Sequence, residues 1–186
     1  NFISKELFEI NVYDKLIGNY NKNDEVAIVI RANKVVKRIS KERLESCSKY
    51  LSKKIKEINT LEINSQRRIL AVISASEESL IFMLTSAFLG AHHCICFEDL
   101  SVEAIRVRLR IFEPHLIICR SSIESKMSEV LSTKEFNNIQ KLVINSDEIF
   151  QESKKSNIFS LKSSFYSKND SLFTLFTSGT TGKPKA

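Results

Sequence analysis

The sequence is poor in glycine and proline. Its 186 residues include 4 Gly and 2 Pro, where an average chain of this length carries about 13 and about 9. That scarcity excludes collagen-like, Gly/Ser-linker and proline-rich classes. A disulfide framework is also missing. Cys47, Cys94, Cys96 and Cys119 show no paired spacing, and a chain this long does not need disulfides to fold. A reducing cytoplasm is the simplest home. The opening NFISKELFEI has no apolar core behind a basic end, so no signal peptide is read there. Ser79 to Phe97 carries no formal charge and has the length of a membrane span. Thr85, Ser86, the His92–His93 pair and the break at Gly90 argue against a membrane.

Charge of one sign is not dominant. Lys+Arg 28 against Asp+Glu 22 gives +6, which permits a nucleic-acid or acidic-membrane partner. The densest basic run, Lys53, Lys54 and Lys56, falls on a predicted helix beside Glu57 and reads as a solvated face. Hydrophobic residues at 42% and charged ones at 27% give a soluble globular balance. The length suits one domain or a piece of something larger. The chain opens on Asn1 and closes on Ala186 just after a glycine-rich turn. It reads as an incomplete N-terminal domain spanning 1–186.

What is present is an alternation of strands and helices. VAIVIR at 26–31 and Val35 to Ile39 form a predicted hairpin through Ala32–Asn33–Lys34. Ser40 is placed to cap a helix, with Ile39 and Leu44 as its staple. Leu44, Cys47, Leu51, Ile55 and Ile58 continue one stripe at helical spacing. ILAVIS at 69–74 is a fully apolar strand. Ser76 then caps a helix whose predicted buried side is Leu80, Met83, Leu84, Ala87 and Phe88, with Gly90 at its C-terminal turn. Strands follow at 93–97, 116–119, 142–144 and 172–176. Helices open at Ser101 and Ser122, and Pro114 ends the first of these two. Continuous Val/Ile/Leu strands without alternation mark a mostly parallel sheet with helices on both faces, hence an α/β fold. The α/β core is expected over about 24–146. The Ser/Lys/Asn-rich stretch 147–169 is expected to be a surface connection, and 170–186 a strand and loop.

That loop holds the chemical signal. Phe173 to Phe176 leads into Thr177–Ser178–Gly179–Thr180–Thr181–Gly182–Lys183–Pro184–Lys185. Glycines let backbone N–H groups approach an anion. Hydroxyls on Thr177, Ser178, Thr180 and Thr181 can donate to phosphate oxygens, and Lys183 and Lys185 add charge. Only two residues separate the glycines and proline follows Lys183, so this is not a Walker loop.

NDSLFTLFTSGTTGKPK, from Asn169 onward, resembles the signature strand and loop of the AMP-forming acyl-CoA synthetases, the adenylate-forming superfamily. Ala186 stands where Gly is common and Ser171 where Pro is common. AFLGAHHCICFEDLSVEAIRVRL looks like the acetyl-CoA synthetase segment in which a strand leaves a Gly-Ala turn, reaches a Phe and enters a helix. Gly90–Ala91, His93, Phe97, Ser101, Glu103 and Ala104 carry that likeness. The resemblance implies part of the large N-terminal domain of the adenylate-forming fold, most like acetyl-CoA synthetase, with ATP, Mg²⁺ and CoA. It implies activation of a small-molecule carboxylate as an acyl-adenylate. Thr177, Ser178, Gly179, Thr180, Thr181, Gly182 and Lys183 would then bind ATP phosphates, with Phe97 on the CoA side. One departure stands out: Glu98–Asp99 replaces the usual two glycines, and carboxylates there would repel a polyphosphate ligand. The fragment alone is expected to be inactive; the alternatives are a split-gene or degenerate product, or one needing a second chain with the C-terminal part, another adenylate-forming ligase, and a basic nucleic-acid-binding module.

Other clusters weigh less. His92, Cys94 and Cys96 share a strand face, but parallel side chains suit a tetrahedral ion poorly. Arg106 and Arg110 align on a helix with Glu103 and read as a salt-bridged face. No aromatic platform accompanies them for single-stranded nucleic acid.

Overall fold

The computed structural model describes residues 10–18, 28–32, 35–58, 66–158, 160–177 and 186. Strands β1 (Ile28–Ala32) and β2 (Val35–Ile39) pair antiparallel, Ala32 opposite Val35. The hairpin thus keeps Ala32 in the strand. Val26, Ala27, Asn33 and Lys34 lie outside the described residues.

Helix α1 (Lys41–Ile58) follows, and the Ser40 hydroxyl accepts from the Arg43 N–H at 3.1 Å. Next come β3 (Arg68–Val72), α2 (Glu77–Leu89), β4 (His92–Cys96), α3 (Val102–Phe112) and β5 (Leu116–Arg120). Then α4 (Glu124–Val130), β6 (Gln140–Ile144), α5 (Ser146–Lys155) and β7 (Phe173–Thr174) complete the order. The sheet order is β6-β5-β3-β4-β7, and every pairing in it is parallel.

Period-two geometry divides the sheet's side chains between two cores. Ile69 and Ala71 of β3, with Leu116 and Ile118 of β5, pack with Leu51, Ile55, Ile81, Phe82 and Ile149 of the helices on one side. Leu70 and Val72, with Ile117 and Cys119, pack with Ile105, Leu109, Met127 and Val130 on the other. Both faces are apolar because α1, α2 and α5 cover one and α3 and α4 the other. Four of the predicted strands and their helices therefore stand as expected.

Three expectations are corrected. The stretch 147–169 is not simply a connection. Asn145 Oδ1 accepts from the N–H groups of Asp147 and Glu148 at 3.0 and 3.1 Å and starts α5, which buries Ile149. Further on, Tyr166 bridges antiparallel to Ile10, and its hydroxyl donates to the Ser86 and Ala91 carbonyls at 3.1 and 2.8 Å. The buried side of α2 also differs. Ile81, Phe82, Thr85 and Ser86 are buried, whereas Met83 is exposed. Hydroxyls can be buried there because Thr85 donates to the Ile81 carbonyl at 2.7 Å and Ser86 to the Phe82 carbonyl at 3.0 Å. The paired part of β7 is also shorter than the predicted 172–176.

Candidate functional site

Ligands of open α/β sheets bind beyond the carboxyl ends of the strands. At that edge β4 runs into Phe97–Glu98–Asp99 and β7 runs into Leu175–Phe176–Thr177. His93 lies opposite Phe173 and Cys94 opposite Thr174. Both strands end there, β4 at Cys96 and β7 at Thr174, so Phe97 and Thr177 each follow a strand at this end of the sheet. Ser178, Gly179, Thr180, Thr181, Gly182 and Lys183 lie outside the described residues.

Several side chains hold β7 in place. Gln66 Nε2 donates to the Ser171 carbonyl at 2.7 Å, and its Oε1 accepts from the Ser171 N–H at 2.9 Å. The His93 N–H donates to the Leu172 carbonyl at 3.2 Å. His92 Nε2 and Thr174 Oγ1 are 2.8 Å apart, and the His92 ring meets Phe112 edge-on. Arg108 lies over the Phe176 ring, 5.3 Å from its centroid. This Arg108 contact was not legible, because the partner sits on a distant strand.

Phe97 is 61% exposed. Behind it, Glu98 turns inward, with its side chain 14% exposed and its Oε1 at 3.0 Å from Arg120 Nε. Lys126 Nζ donates to the Glu98 carbonyl at 2.8 Å. Asp99 is exposed. The repulsion expected from two adjacent carboxylates is therefore halved, since Arg120 at the end of β5 neutralises one of them. Glu78, in the first turn of α2, belongs to the same edge. Burial works to raise its carboxyl pKa, but hydrogen bonds from its own backbone, Ser76 and Ser146 outweigh that, and Arg120 helps hold it below the ordinary value.

The remaining clusters have structural partners. His92, Cys94 and Cys96 share a face as expected, but among the described residues no group of three His, Cys, Asp or Glu could hold an ion. Burial pushes the Cys119 thiol up to about 11 and Cys47 up to about 12. The Cys94 thiol donates to the Ile95 carbonyl at 3.9 Å, and the neighbouring Cys96 thiol together with burial raises its pKa, while Cys94 lowers that of Cys96. Arg110 pairs with Glu103 and Glu135, both at 2.9 Å. Arg106 donates to the Val130 and Glu129 carbonyls at the end of α4. No described helix is long and apolar enough to cross a membrane.

A family-wide sequence profile, described as AMP-binding enzyme, matches residues 20–186. The chain belongs to this family. No curated protein sequence matches it. Among solved structures, the acyl-CoA synthetase of Brucella canis superposes with a TM-score of 0.74 at 17% identity, covering 96% of this chain and 33% of that one. ATP-bound MatB from Rhodopseudomonas palustris gives 0.71 at 18% identity, with 94% and 33% coverage. The fatty acyl-adenylate ligase of L. pneumophila, solved with acyl adenylate and pyrophosphate, gives 0.66 at 15%, with 95% and 29% coverage. These likenesses establish the α/β fold. The chain spans about a third of the length of these structures.

Proposed function

We propose that this family member carries the phosphate-binding part of an ATP-dependent, AMP-forming acid–CoA ligase acting on a short-chain carboxylate. The observation that supports the reading is that β7, parallel to β4, ends three residues before Thr177 at the carboxyl edge of the sheet, where the Ser178–Lys185 run begins. In the reaction, a carboxylate oxygen attacks the α-phosphorus of ATP. The bond from that phosphorus to the bridging oxygen breaks, leaving acyl-adenylate and pyrophosphate. The CoA sulfur then attacks the acyl carbon, its proton passes to solvent, and AMP leaves. The L. pneumophila ligase, with acyl adenylate and pyrophosphate in its site, offers the parallel for the first step.

Hydroxyls of Thr177, Ser178, Thr180 and Thr181 and the backbone at Gly179 and Gly182 hold the β- and γ-phosphates in this reading. Lys183 neutralises the departing pyrophosphate. Phe97 flanks the CoA side, where the Glu98–Arg120 pair leaves Asp99 as the one exposed carboxylate of the turn. Mg²⁺ arrives with ATP, ligated mainly by phosphates and water. The described residues form no ion-binding group. The best setting is a cytoplasmic protein in which a further segment, or a second chain, supplies the remaining two thirds of the relatives' length.

The test is direct. With ATP and Mg²⁺ the chain should broaden the β- and γ-phosphate signals in phosphorus NMR, and Lys183→Ala should weaken that effect about tenfold. Absence of any ATP effect sinks the phosphate reading. Incubated with ATP, Mg²⁺, CoA and acetate, the chain alone should release no AMP; AMP release would refute its inactivity.

A further inference from the structure

A cavity of about 370 Å³ lies far from the carboxyl edge, between the helical segment 12–18, α1 and the segment around Ser163. Phe88, at the C-terminal end of α2, lines it. It therefore lies at the end of the molecule where β4 begins. Its volume falls in the range of small-molecule sites, roughly 300–1,000 Å³.

The lining divides into an apolar floor and a polar ring. Tyr13, Ile17 and Phe88 are buried, Leu161 packs against them, and Phe165 is exposed at the rim. The ring's acids already have partners. Asp14 accepts from Asn11 Nδ2 at 2.7 Å and from the Ser163 hydroxyl at 3.0 Å. Glu45 pairs with Lys49 at 2.7 Å. The Tyr13 hydroxyl sits 3.1 Å from the Ser48 hydroxyl. Lys162 is different: it lines the cavity yet makes no ion pair or hydrogen bond among the described residues. The two acids and two lysines of the lining balance in charge, and beside the apolar floor Lys162 is the cation that makes no ion pair or hydrogen bond among the described residues.

We propose that this cavity binds a small organic acid with an aryl or short alkyl body, its carboxylate set against Lys162. The site is separate from the carboxyl edge and does not depend on the ligase reading. Apolar contact with Ile17, Phe88 and Leu161 supplies affinity, and Lys162 selects the charge.

The probe is 3-phenylpropionate, titrated into the isotope-labelled full chain and followed by amide NMR. Saturable shifts are expected at Phe88, Leu161 and Ser163, with none at Cys96 to Asp99. Lys162→Gln should weaken binding about two- to fivefold, the scale of an exposed ion pair. The uncharged 3-phenylpropanol should bind more weakly than the acid by a similar factor. Leu161→Lys, which places a long polar chain in the cavity, should abolish the shifts. The proposal fails if no saturable shift appears, if shifts map to the β4 and β7 ends instead, or if Lys162→Gln and the alcohol leave affinity unchanged.

Discussion

At the scale of single residues, His93 sits between the Phe82 and Phe173 rings, only 6% exposed, and its Nδ1 has no hydrogen-bond partner among the described residues. Burial, with a smaller contribution from His92, lowers its pKa from 6.5 to about 4. The folded protein therefore keeps this imidazole neutral where the unfolded chain begins to bind a proton. The sign follows from proton linkage: the contribution is complete above pH 6.5 and is lost as pH falls towards 4. At 1.36 kcal/mol per pH unit the loss is about 3 kcal/mol. Urea unfolding of the wild type and His93→Phe between pH 7 and 4 should show a shallower decline for the variant. Parallel declines would rule out His93 as the source. Glu77 poses the opposite problem, a carboxylate 3% exposed that is kept by charge pairing. It pairs with Arg43 and Lys37, and Arg43 also reaches Asp147 at 2.7 Å. Removing it leaves the guanidinium only the exposed Asp147, so Glu77→Ala should destabilise by about 2 kcal/mol, readable as a lowered urea midpoint. A change below about 1 kcal/mol would show that solvent compensates the cations.

The helical and strand elements are joined by caps and close approaches. Gly90 ends α2 at φ 64°, and a Cβ there would lie 3.1 Å from Ser164 Cβ and 3.2 Å from the Phe165 carbonyl oxygen. Gly90→Ala therefore meets both left-handed strain and backbone atoms that cannot swing aside. The expected cost is about 2 kcal/mol, measured by thermal or urea unfolding; a neutral result would mean that the 160s segment yields freely. Much at this scale was legible in the sequence. Ser40 and Ser101 cap as their positions imply, the latter accepting from the Ala104 N–H at 3.2 Å. Uninterrupted apolar runs at 69–74 and 116–119 announced strands covered on both faces. Helix α5 was missed because its polar composition hid its two core anchors, Ile149 and Phe150. The signal was nonetheless there: Asn145 as cap, Asp147 and Glu148 in the first turn, and Lys154 and Lys155 in the last. The face of α2 was misplaced for another reason. It packs between α1 and the sheet, and nearly every position of its apolar sequence offers a plausible stripe.

For the molecule as a whole, the β4–β7 side carries uncovered apolar surface. Phe97, just after β4, and Phe173 and Leu175, in and just after β7, are 61%, 52% and 65% exposed. Leu175→Asp should leave the unfolding midpoint nearly unchanged, within about 0.5 kcal/mol. It should also lower the fluorescence of an added hydrophobic dye about twofold. Unchanged dye fluorescence would place the accessible apolar surface elsewhere. The candidate site was only half visible in the sequence. Motif chemistry marked Thr177, since glycine, hydroxyl and lysine residues adjoin along the chain, whereas Phe97 was marked only by the family resemblance. The Glu98–Arg120 pair and the Arg108–Phe176 stack depend on strand order, which local spacing does not encode.

The position of β7 has a consequence for how the molecule assembles. Gln66 meets Gly90 across 24 residues and Arg68 meets His115 across 47, but His92 meets Thr174 across 82. Closing that last loop costs entropy before its few contacts give anything back. The strand leading into Thr177 should therefore dock last, onto a sheet already built from β3 to β6, and come away first in partial opening. Any substitution that slows or loosens the older part of the sheet would then be felt at the carboxyl edge, however far from it the change is made.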